Sequence, residues 1–175
     1  MLAAISAVVR TFAEGGIEMN PPYQRGDVWT VEQRRNLIRS LLLGVPIAAL
    51  VLNRRGSNQA WQDNEGDPGE TWYAVVDGKQ RLTTMVMWFD SKLFVPADWF
   101  APESLPEGMA LGAEVTYGGL TIRGQRFVGQ AFNVPVAEAR LGSLSEEAEV
   151  YGLINQAGTA QSAADLDRAR AIASS

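Results

Sequence analysis

The 175-residue chain contains neither cysteine nor histidine. Without cysteine it can form no disulfide bond and has no thiolate nucleophile. Without histidine it lacks the usual general base and the commonest zinc ligand. These absences exclude triad hydrolases and zinc enzymes, and we expect no zinc, haem or thiol chemistry. Any metal would be of the Mg²⁺ or Ca²⁺ type, held by carboxylates and substrate phosphates.

Long hydrophobic runs and excess positive charge are also missing. The apolar segment Leu2 to Val9 is short, has no basic region before it and runs into Arg10, so it resembles neither a signal peptide nor a membrane span. With 15 basic and 20 acidic residues the formal charge is −5, which argues against attraction of the whole surface to nucleic acid or membrane. We therefore expect a soluble, cytoplasmic protein with no membrane partner.

The charges that are present are segregated along the chain. Residues 1–60 carry seven arginines against four acidic residues, whereas residues 63–114 are mostly acidic. Five of these arginines could form a local basic patch that contacts DNA: Arg34, Arg35, Arg39, Arg54 and Arg55. The alternative is that the helical ones are ordinary solvated charges.

Length and a hydrophobic content of 46% predict one packed domain over residues 1–175. Thr30 and Gln33 form a capping-box pattern before a helix that ends at Gly44. Residues 47–52 have the composition of a buried strand, and residues 53–70 that of a surface loop. Ser143 and Glu146 predict a second capping box, for a helix to about Gln156.

The remaining segments give weaker predictions. Residues 3–12 are patterned as a short helix, and residues 132–136 as a strand. Gly118-Gly119 suggests a hairpin between residues 114–117 and 120–122. Residues 96–100 would place aromatic side chains against the core. Ser162 and Asp165 form a third capping-box pattern, for a helix to the C-terminus.

The most informative segment is Trp72 to Phe89, in which an apolar strand pattern breaks at Asp77-Gly78 into an amphipathic helix pattern. The turn would place Gly78, Lys79, Gln80 and Arg81 at a helix N-terminus, where free N–H groups and the helix dipole favour an anion. A phosphate is the obvious candidate. The structural alternative is an ordinary turn in which Asp77 is only a helix cap. The spacing is not that of a Walker loop.

Four segments in order resemble one known family: Pro22-Tyr-Gln-Arg-Gly-Asp-Val-Trp29, Ser40-Leu-Leu-Leu-Gly-Val-Pro46, Val76-Asp-Gly-Lys-Gln-Arg-Leu-Thr-Thr84 and Leu153-Ile-Asn-Gln-Ala-Gly158. They look like the N-terminal domain of GmrSD-type restriction proteins, in the ParB/sulfiredoxin-like superfamily. The resemblance implies an α+β fold, a single ParB/sulfiredoxin-like domain with a small mixed sheet flanked by helices. The family has Asp-Gly-Gln-Gln-Arg at the central turn, so Lys79 is a departure that either adds a phosphate contact or changes the nucleotide preference.

The resemblance also implies a nucleotide or phosphodiester site built from Asp77, Gly78, Gln80 and Arg81, with Gln24 and Arg25 facing them and Asn155 at the border. The segment Tyr23 to Arg25 would form one side of the cleft. From the residue types, Arg81 and Arg25 would clamp phosphate oxygens, while the backbone N–H groups of Gly78 and Lys79 would cradle another. Asp77 would be a Mg²⁺ ligand, a water-positioning base or the helix cap.

The structural alternatives for the neighbours stay open. Arg25 would instead be an ion-pair partner of Asp77, Trp29 a core anchor and Asn155 a helix cap.

Two functions follow from the resemblance. The first is an enzyme, an NTP hydrolase or DNA-nicking domain linked to phage defence or modification-dependent restriction, in which Asp77, Gln80 and Arg81 are catalytic and Mg²⁺ accompanies a nucleoside triphosphate. The second is a non-catalytic module that binds a nucleotide or DNA and regulates a partner protein or nuclease subunit. A degenerate scaffold with an empty cleft would do neither.

Overall fold

A computed structural model describes residues 2–24, 26–110 and 112–156. The helices within these residues are α1 (Ile5–Ala13), α2 (Val31–Leu42), α3 (Gln59–Glu65), α4 (Lys79–Phe89), α5 (Ile122–Ala131) and α6 (Leu144–Gln156). The strands are β1 (Leu2–Ala4), β2 (Ile17–Glu18), β3 (Leu50–Arg54), β4 (Tyr73–Asp77), β5 (Val95–Pro96), β6 (Glu114–Val115) and β7 (Asn133–Ala139). Short 3₁₀ helices cover Ala97–Trp99, Pro102–Ser104 and Tyr117–Gly119.

The main sheet has five strands in the order β1-β7-β3-β4-β2. β3 runs antiparallel to β4 and parallel to β7, while β2 runs parallel to β4 and β1 antiparallel to β7. β4 is therefore an interior strand, and its apolar run Ala74–Val76 is fully buried. β2 pairs with Tyr73 and Ala74 at the start of β4, and Asp77 at its end is held by pairing with Val51 of β3.

Helices cover this sheet through one apolar core. α2 contributes Leu37, Ile38 and Leu41, and α4 contributes Leu82, Met85 and Trp88. Burial of these side chains is the main force that fixes both helices, because each buried aliphatic or aromatic side chain stabilises the fold by about 1.5–3 kcal/mol. The prediction of an α+β domain with a small mixed sheet flanked by helices is confirmed, and the architecture is consistent with the ParB/sulfiredoxin-like fold.

Residues 90–119 form a small subdomain on the far end of α4. β5 pairs antiparallel with β6, and the ring of Trp88 stacks on Phe100 at a centroid distance of 6.2 Å. Tyr117 meets both Trp88 and Phe89 edge-on. The expectation that residues 96–100 place aromatic side chains against the core is confirmed, since Phe100 is buried there.

The hairpin predicted at Gly118-Gly119 is wrong. Residues 117–119 form a 3₁₀ turn, and the Thr121 hydroxyl accepts a hydrogen bond from the Gly124 N–H and begins α5, which sequence reasoning missed. Gly124 weakens the helical pattern, but a Cβ there would lie 2.6 Å from the Ser104 carbonyl oxygen. Close helix packing, and not a turn, explains this glycine.

Two further boundaries differ from the sequence prediction. Residues 2–4 pair with β7, so the first helix begins at Ile5 rather than at Ala3. The predicted loop over residues 53–70 contains α3, whose Trp61 is buried. The strand predicted at residues 132–136 is confirmed as β7, and the capping box of α2 and the Ser143 cap of α6 are both present.

The helix predicted after Ser162 lies outside the described residues. Among the helices that are described, none has both the length and the hydrophobicity needed to cross a bilayer. The single-domain extent of residues 1–175 stays a prediction.

Candidate functional site

The turn between β4 and α4 is built on Gly78. This residue is the N-cap of α4 and has a left-handed backbone, with φ 93° and ψ 15°. A Cβ at this position would lie 2.5 Å from Leu50 Cδ2 and 3.0 Å from Arg81 Nη2. Glycine is thus required twice, by the positive φ and by the lack of space. The absence of a Cβ lets the Arg81 side chain fold back across the turn.

Asp77 and Arg81 form an ion pair over this turn. Arg81 Nη2 donates hydrogen bonds to Asp77 Oδ2 at 2.7 Å and to the Ala49 carbonyl oxygen at 3.0 Å. The two side chains are 25% and 18% exposed, so the pair is only partly shielded from solvent. Arg81 Nε is buried and has no hydrogen-bond partner among the described residues.

The first turn of α4 has no side-chain cap. Gly78, and not Asp77, occupies the N-cap position, and the Asp77 carboxylate is directed to Arg81 instead. The interpretation of Asp77 as an ordinary helix cap is therefore wrong. The first N–H groups of an α-helix have no intrahelical partner, and the positive end of the helix dipole lies at the same place.

Two amide side chains connect the segment before α2 to this turn. Gln24 Nε2 donates to the carbonyl oxygens of Val75 and, at 3.1 Å, of Val76 at the end of β4. Gln80 Nε2 donates to the Gly26 carbonyl oxygen at 3.0 Å. Gln80 Oε1 is buried without a partner among the described residues. An acceptor left unpaired in this way is costly unless a ligand or water completes it.

These groups line one cavity of about 260 Å³. Its lining consists of Gln24, Val28, Trp29, Asp77, Gly78, Lys79, Gln80, Arg81, Tyr151 and Asn155. The cavity thus brings together seven predicted site residues: Gln24, Asp77, Gly78, Lys79, Gln80, Arg81 and Asn155. Arg25 lies outside the described residues, so both its predicted phosphate contact and its alternative pairing with Asp77 stay predictions. The ion-pair partner that Asp77 has is Arg81.

The C-terminal helix is held against the cavity by a buried carboxylate. Glu147 on α6 is fully buried and accepts hydrogen bonds from Arg55 at 2.9 and 2.6 Å, from Asn53 at 2.7 Å and from the Tyr23 hydroxyl at 3.0 Å. Burial first, and the Glu147 charge second, raise the pKa of Tyr23 well above its ordinary value. Tyr23 was expected in the cleft, but it does not line the cavity: it anchors α6.

A second polar network fixes the other side of the cavity through Arg34. This buried side chain donates from Nη1 to Thr84 Oγ1 at 3.0 Å and from Nη2 to Asp27. The Thr84 hydroxyl in turn donates to the Gln80 carbonyl oxygen at 2.7 Å. Because Gln80 also bonds to Gly26, these contacts close a loop between α2, the first turn of α4 and residues 26–27.

The five-arginine basic patch does not form as a free cationic surface. Four of its members pair with carboxylates: Arg34 with Asp27, Arg35 with Glu114, Arg54 with Glu138 and Arg55 with Glu147. The fifth, Arg39, lies over the Trp99 ring with its guanidinium carbon 5.7 Å from the centroid. Arg34 and Arg55 are buried and stabilise the fold, whereas the exposed Arg39 agrees with the solvated-charge alternative.

The cavity is poor in metal ligands. Asp77 is the one carboxylate in its lining, and no group of three or more His, Cys, Asp or Glu side chains that could hold a metal occurs among the described residues. Among the described residues, Arg81 is the hydrogen-bond partner of the Asp77 carboxylate, through Oδ2, and Oδ1 has none. A single carboxylate oxygen fits Mg²⁺ that is held mainly by phosphate oxygens and water, and does not fit a protein-enclosed metal site.

Sequence reasoning missed the cavity residues Val28 and Tyr151. Tyr151 precedes Asn155 by four residues on a predicted helix, so helical spacing alone could have placed both on one face. Val28 carries no comparable signal. Trp29 packs against the core, as the core-anchor alternative predicts, and it also lines the cavity. Asn155 lies within α6 and donates from Nδ2 to the Tyr151 carbonyl oxygen at 2.8 Å, and its role as a helix cap stays a prediction.

Fold and cavity together define a class, an α+β domain with an Asp-Gly turn and an adjacent arginine at an uncapped helix N-terminus. The chain belongs to the family of GmrSD restriction endonuclease N-terminal domains, whose family model matches residues 9–130. Comparison with curated proteins and with solved structures gave no match. The family membership implies a role in a restriction system and suggests an interaction with DNA.

Proposed function

We propose that this domain binds the phosphates of a nucleoside triphosphate at the N-terminus of α4 and hydrolyses it as part of a restriction system. The observation that carries this proposal is the combination of Gly78, Gln80 and Arg81 in one cavity with an uncapped helix N-terminus. Anions bind at such helix ends because the N–H groups and the dipole converge there. The unpaired Arg81 Nε adds a buried donor.

The residues have distinct parts in this proposal. Arg81, held by Asp77 and the Ala49 carbonyl, presents its guanidinium to phosphate oxygens without having to be ordered on binding. Gln80 is fixed through its amide nitrogen and directs Oε1 to a water molecule or ribose hydroxyl. Asp77 Oδ1 holds a water molecule in position for attack on the terminal phosphorus. No histidine is needed, because positioning and charge neutralisation supply most of the effect in phosphoryl transfer.

Mg²⁺ fits this arrangement as a cofactor that enters with the nucleotide. When bound, it neutralises charge on the phosphate oxygens. Phosphate oxygens and water would supply its octahedral ligands, which leaves Asp77 Oδ1 for the attacking water molecule. The protein's own contribution is the orientation of Asp77, which its ion pair with Arg81 determines.

A second candidate is a nucleotide-binding module without turnover that regulates a partner protein or nuclease subunit. The single carboxylate of the cavity favours it, since that carboxylate is already paired with Arg81. DNA nicking ranks behind both candidates. Four of the five candidate DNA-contacting arginines are neutralised by carboxylates, so little cationic surface remains from that group for a nucleic-acid backbone.

Phosphate release from ATP, GTP, CTP and UTP with Mg²⁺ tests the proposal, measured for the wild type, Arg81→Ala and Asp77→Asn. Hydrolysis that both substitutions abolish supports the enzyme. Nucleotide binding without release, lost in Arg81→Ala, supports the regulatory module. Release that persists in Arg81→Ala contradicts the proposed site, because the assigned clamp would then be dispensable.

A further inference from the structure

The cavity has two kinds of wall, and the phosphate proposal uses one of them. Gly78, Lys79 and Arg81 supply backbone and charged groups suited to phosphate oxygens. The other wall consists of Val28 and Trp29 from the segment before α2, and Tyr151 and Asn155 from α6. The Val28 side chain and the faces of the Trp29 and Tyr151 rings offer no hydrogen-bond donor to phosphate oxygens, so their presence suits a second, apolar part of the ligand.

We propose that Tyr151 and Asn155 form a nucleobase-recognition wall, so that the ligand is a complete nucleoside triphosphate whose base is read by α6. This inference rests on the proposed function and extends it to substrate specificity. The family model ends at residue 130, so Tyr151 and Asn155 lie outside the matched region. Aromatic side chains bind bases by stacking, and Asn amides bind base edges by hydrogen bonds.

The geometry of α6 supports this assignment. Glu147, Tyr151 and Asn155 lie four residues apart and therefore share one face of the helix. Glu147 is locked by Arg55, Asn53 and Tyr23, so the same face is presented to the cavity in a fixed orientation.

Tyr151 is held in place as a stacking surface. The Tyr23 ring braces it at a centroid distance of 5.6 Å and an angle of 47°. A ring braced in this way loses little conformational entropy when a base stacks on it.

Asn155 keeps the groups needed to read a base edge. Among the described residues its side chain makes one hydrogen bond, from Nδ2 to the Tyr151 carbonyl oxygen. An Asn amide has two donors and an acceptor, so one N–H and Oδ1 have no partner within that part of the chain. A donor and an acceptor side by side distinguish bases by their hydrogen-bonding pattern. Tyr151 therefore provides base affinity, and Asn155 provides the preference among bases.

Calorimetric titration with the four nucleoside triphosphates and with inorganic tripolyphosphate, each with Mg²⁺, tests the inference, since tripolyphosphate has the phosphates but no base. The wild type should bind one nucleotide at least about tenfold more tightly than tripolyphosphate. Tyr151→Leu should weaken nucleotide binding by roughly five- to a hundredfold, the range expected for one base-stacking contact, with tripolyphosphate binding unchanged. Tyr151→Phe, which keeps the ring, should bind the nucleotide as tightly as the wild type does. Asn155→Ala should reduce the differences in affinity among the four nucleotides.

The matched control is Leu153→Ala, on the same helix but 60% exposed and outside the cavity lining, which should bind all ligands as the wild type does. Equal binding of tripolyphosphate and every nucleotide by the wild type would overturn the base-recognition wall and leave the phosphate site intact. Binding of neither would overturn the proposed function itself, and the wall with it.

Discussion

Arg81 Nη2 lies 2.7 Å from Asp77 Oδ2, one helical turn apart across a glycine that has no room for a side chain. The pair holds the guanidinium in the cavity, but it also places a negative charge beside the proposed phosphate position. Asp77 thus opposes binding of a polyanion while it positions the arginine.

Asp77→Asn separates these two effects. Because the substitution removes a like charge, we expect nucleotide affinity to rise by about five- to tenfold. We expect hydrolysis to fall by about a hundredfold or more, since the water-positioning base is lost. Calorimetric titration measures the nucleotide affinity and phosphate release measures the hydrolysis rate, both on the same preparation. Unchanged hydrolysis would remove Asp77 from the mechanism.

Gly78→Ala tests the turn itself. The substitution combines a positive φ with a Cβ 2.5 Å from Leu50 Cδ2, so we expect a loss of about 2–4 kcal/mol in the free energy of unfolding. Gly44→Ala is the matched control: Gly44 has φ 68° but no atom within 4 Å of an added Cβ, so it reports backbone strain alone. Urea unfolding of both variants should show the larger loss at Gly78, and equal losses would contradict the contact.

Arg34→Ala should disturb the cavity from outside it. The variant loses the hydrogen bonds from Arg34 to Thr84 and Asp27. Hydrogen bonds to charged groups contribute about 1.5–3 kcal/mol each to stability. The bond to Asp27 contributes less than this range because the Asp27 side chain is 54% exposed. We expect a loss of about 2 kcal/mol in stability and weaker nucleotide binding.

The neighbouring Arg35→Ala serves as the control for Arg34. Arg35 pairs with Glu114 on the exposed surface, so its removal should cost less than about 1 kcal/mol. Denaturant unfolding and nucleotide titration compare the two variants. If Arg34→Ala and Arg35→Ala were indistinguishable in binding, the network through Thr84 would have no part in positioning Gln80.

Glu147→Ala should be among the most destabilising single substitutions. It leaves the buried Arg55 without its carboxylate, for which a cost of about 3–5 kcal/mol is typical. Replacing both partners by apolar residues, Glu147→Leu with Arg55→Met, should recover much of that loss. The free energies of unfolding of Glu147→Leu, Arg55→Met and the double variant form a double-mutant cycle. Strictly additive losses would show that Glu147 and Arg55 do not interact.

Tyr23 gives a prediction in alkaline solution. Burial raises its pKa above the ordinary value of 10.0, so the folded protein holds the hydroxyl proton more tightly than the unfolded chain does. The contribution of this raised pKa to the free energy of unfolding is fully present below pH 10 and is lost as the pH rises above 10. Above pH 10, the free energy of unfolding of the wild type should fall by up to about 1.4 kcal/mol more per pH unit than that of Tyr23→Phe. Parallel pH dependences of unfolding would contradict the buried contact with Glu147.

Much of the site could be predicted from the sequence because its signals are local. Asp77, Gly78 and Arg81 lie within five residues, and a strand pattern followed by a helix pattern determines how such a segment turns. The same holds for the Thr30–Gln33 capping box, whose partners are three residues apart.

The supporting contacts were not predictable because their partners are distant in the chain. Glu147 and Arg55 are separated by 92 residues, and Arg34 and Thr84 by 50. On a helix, a buried arginine such as Arg34 has the same sequence pattern as a solvated one. Which charges are neutralised depends on tertiary packing, so the expected basic patch was wrong while the cavity residues came together.

The most direct test of the central claim, a phosphate-binding cavity at the N-terminus of α4, is calorimetric titration of Mg²⁺ nucleoside triphosphates into the wild type and into Arg81→Ala. We expect saturable binding of at least one nucleotide by the wild type and a loss of roughly tenfold or more in affinity in Arg81→Ala, with the fold of the variant confirmed by circular dichroism. Equal affinities in the two proteins, or no binding by the wild type, would contradict it.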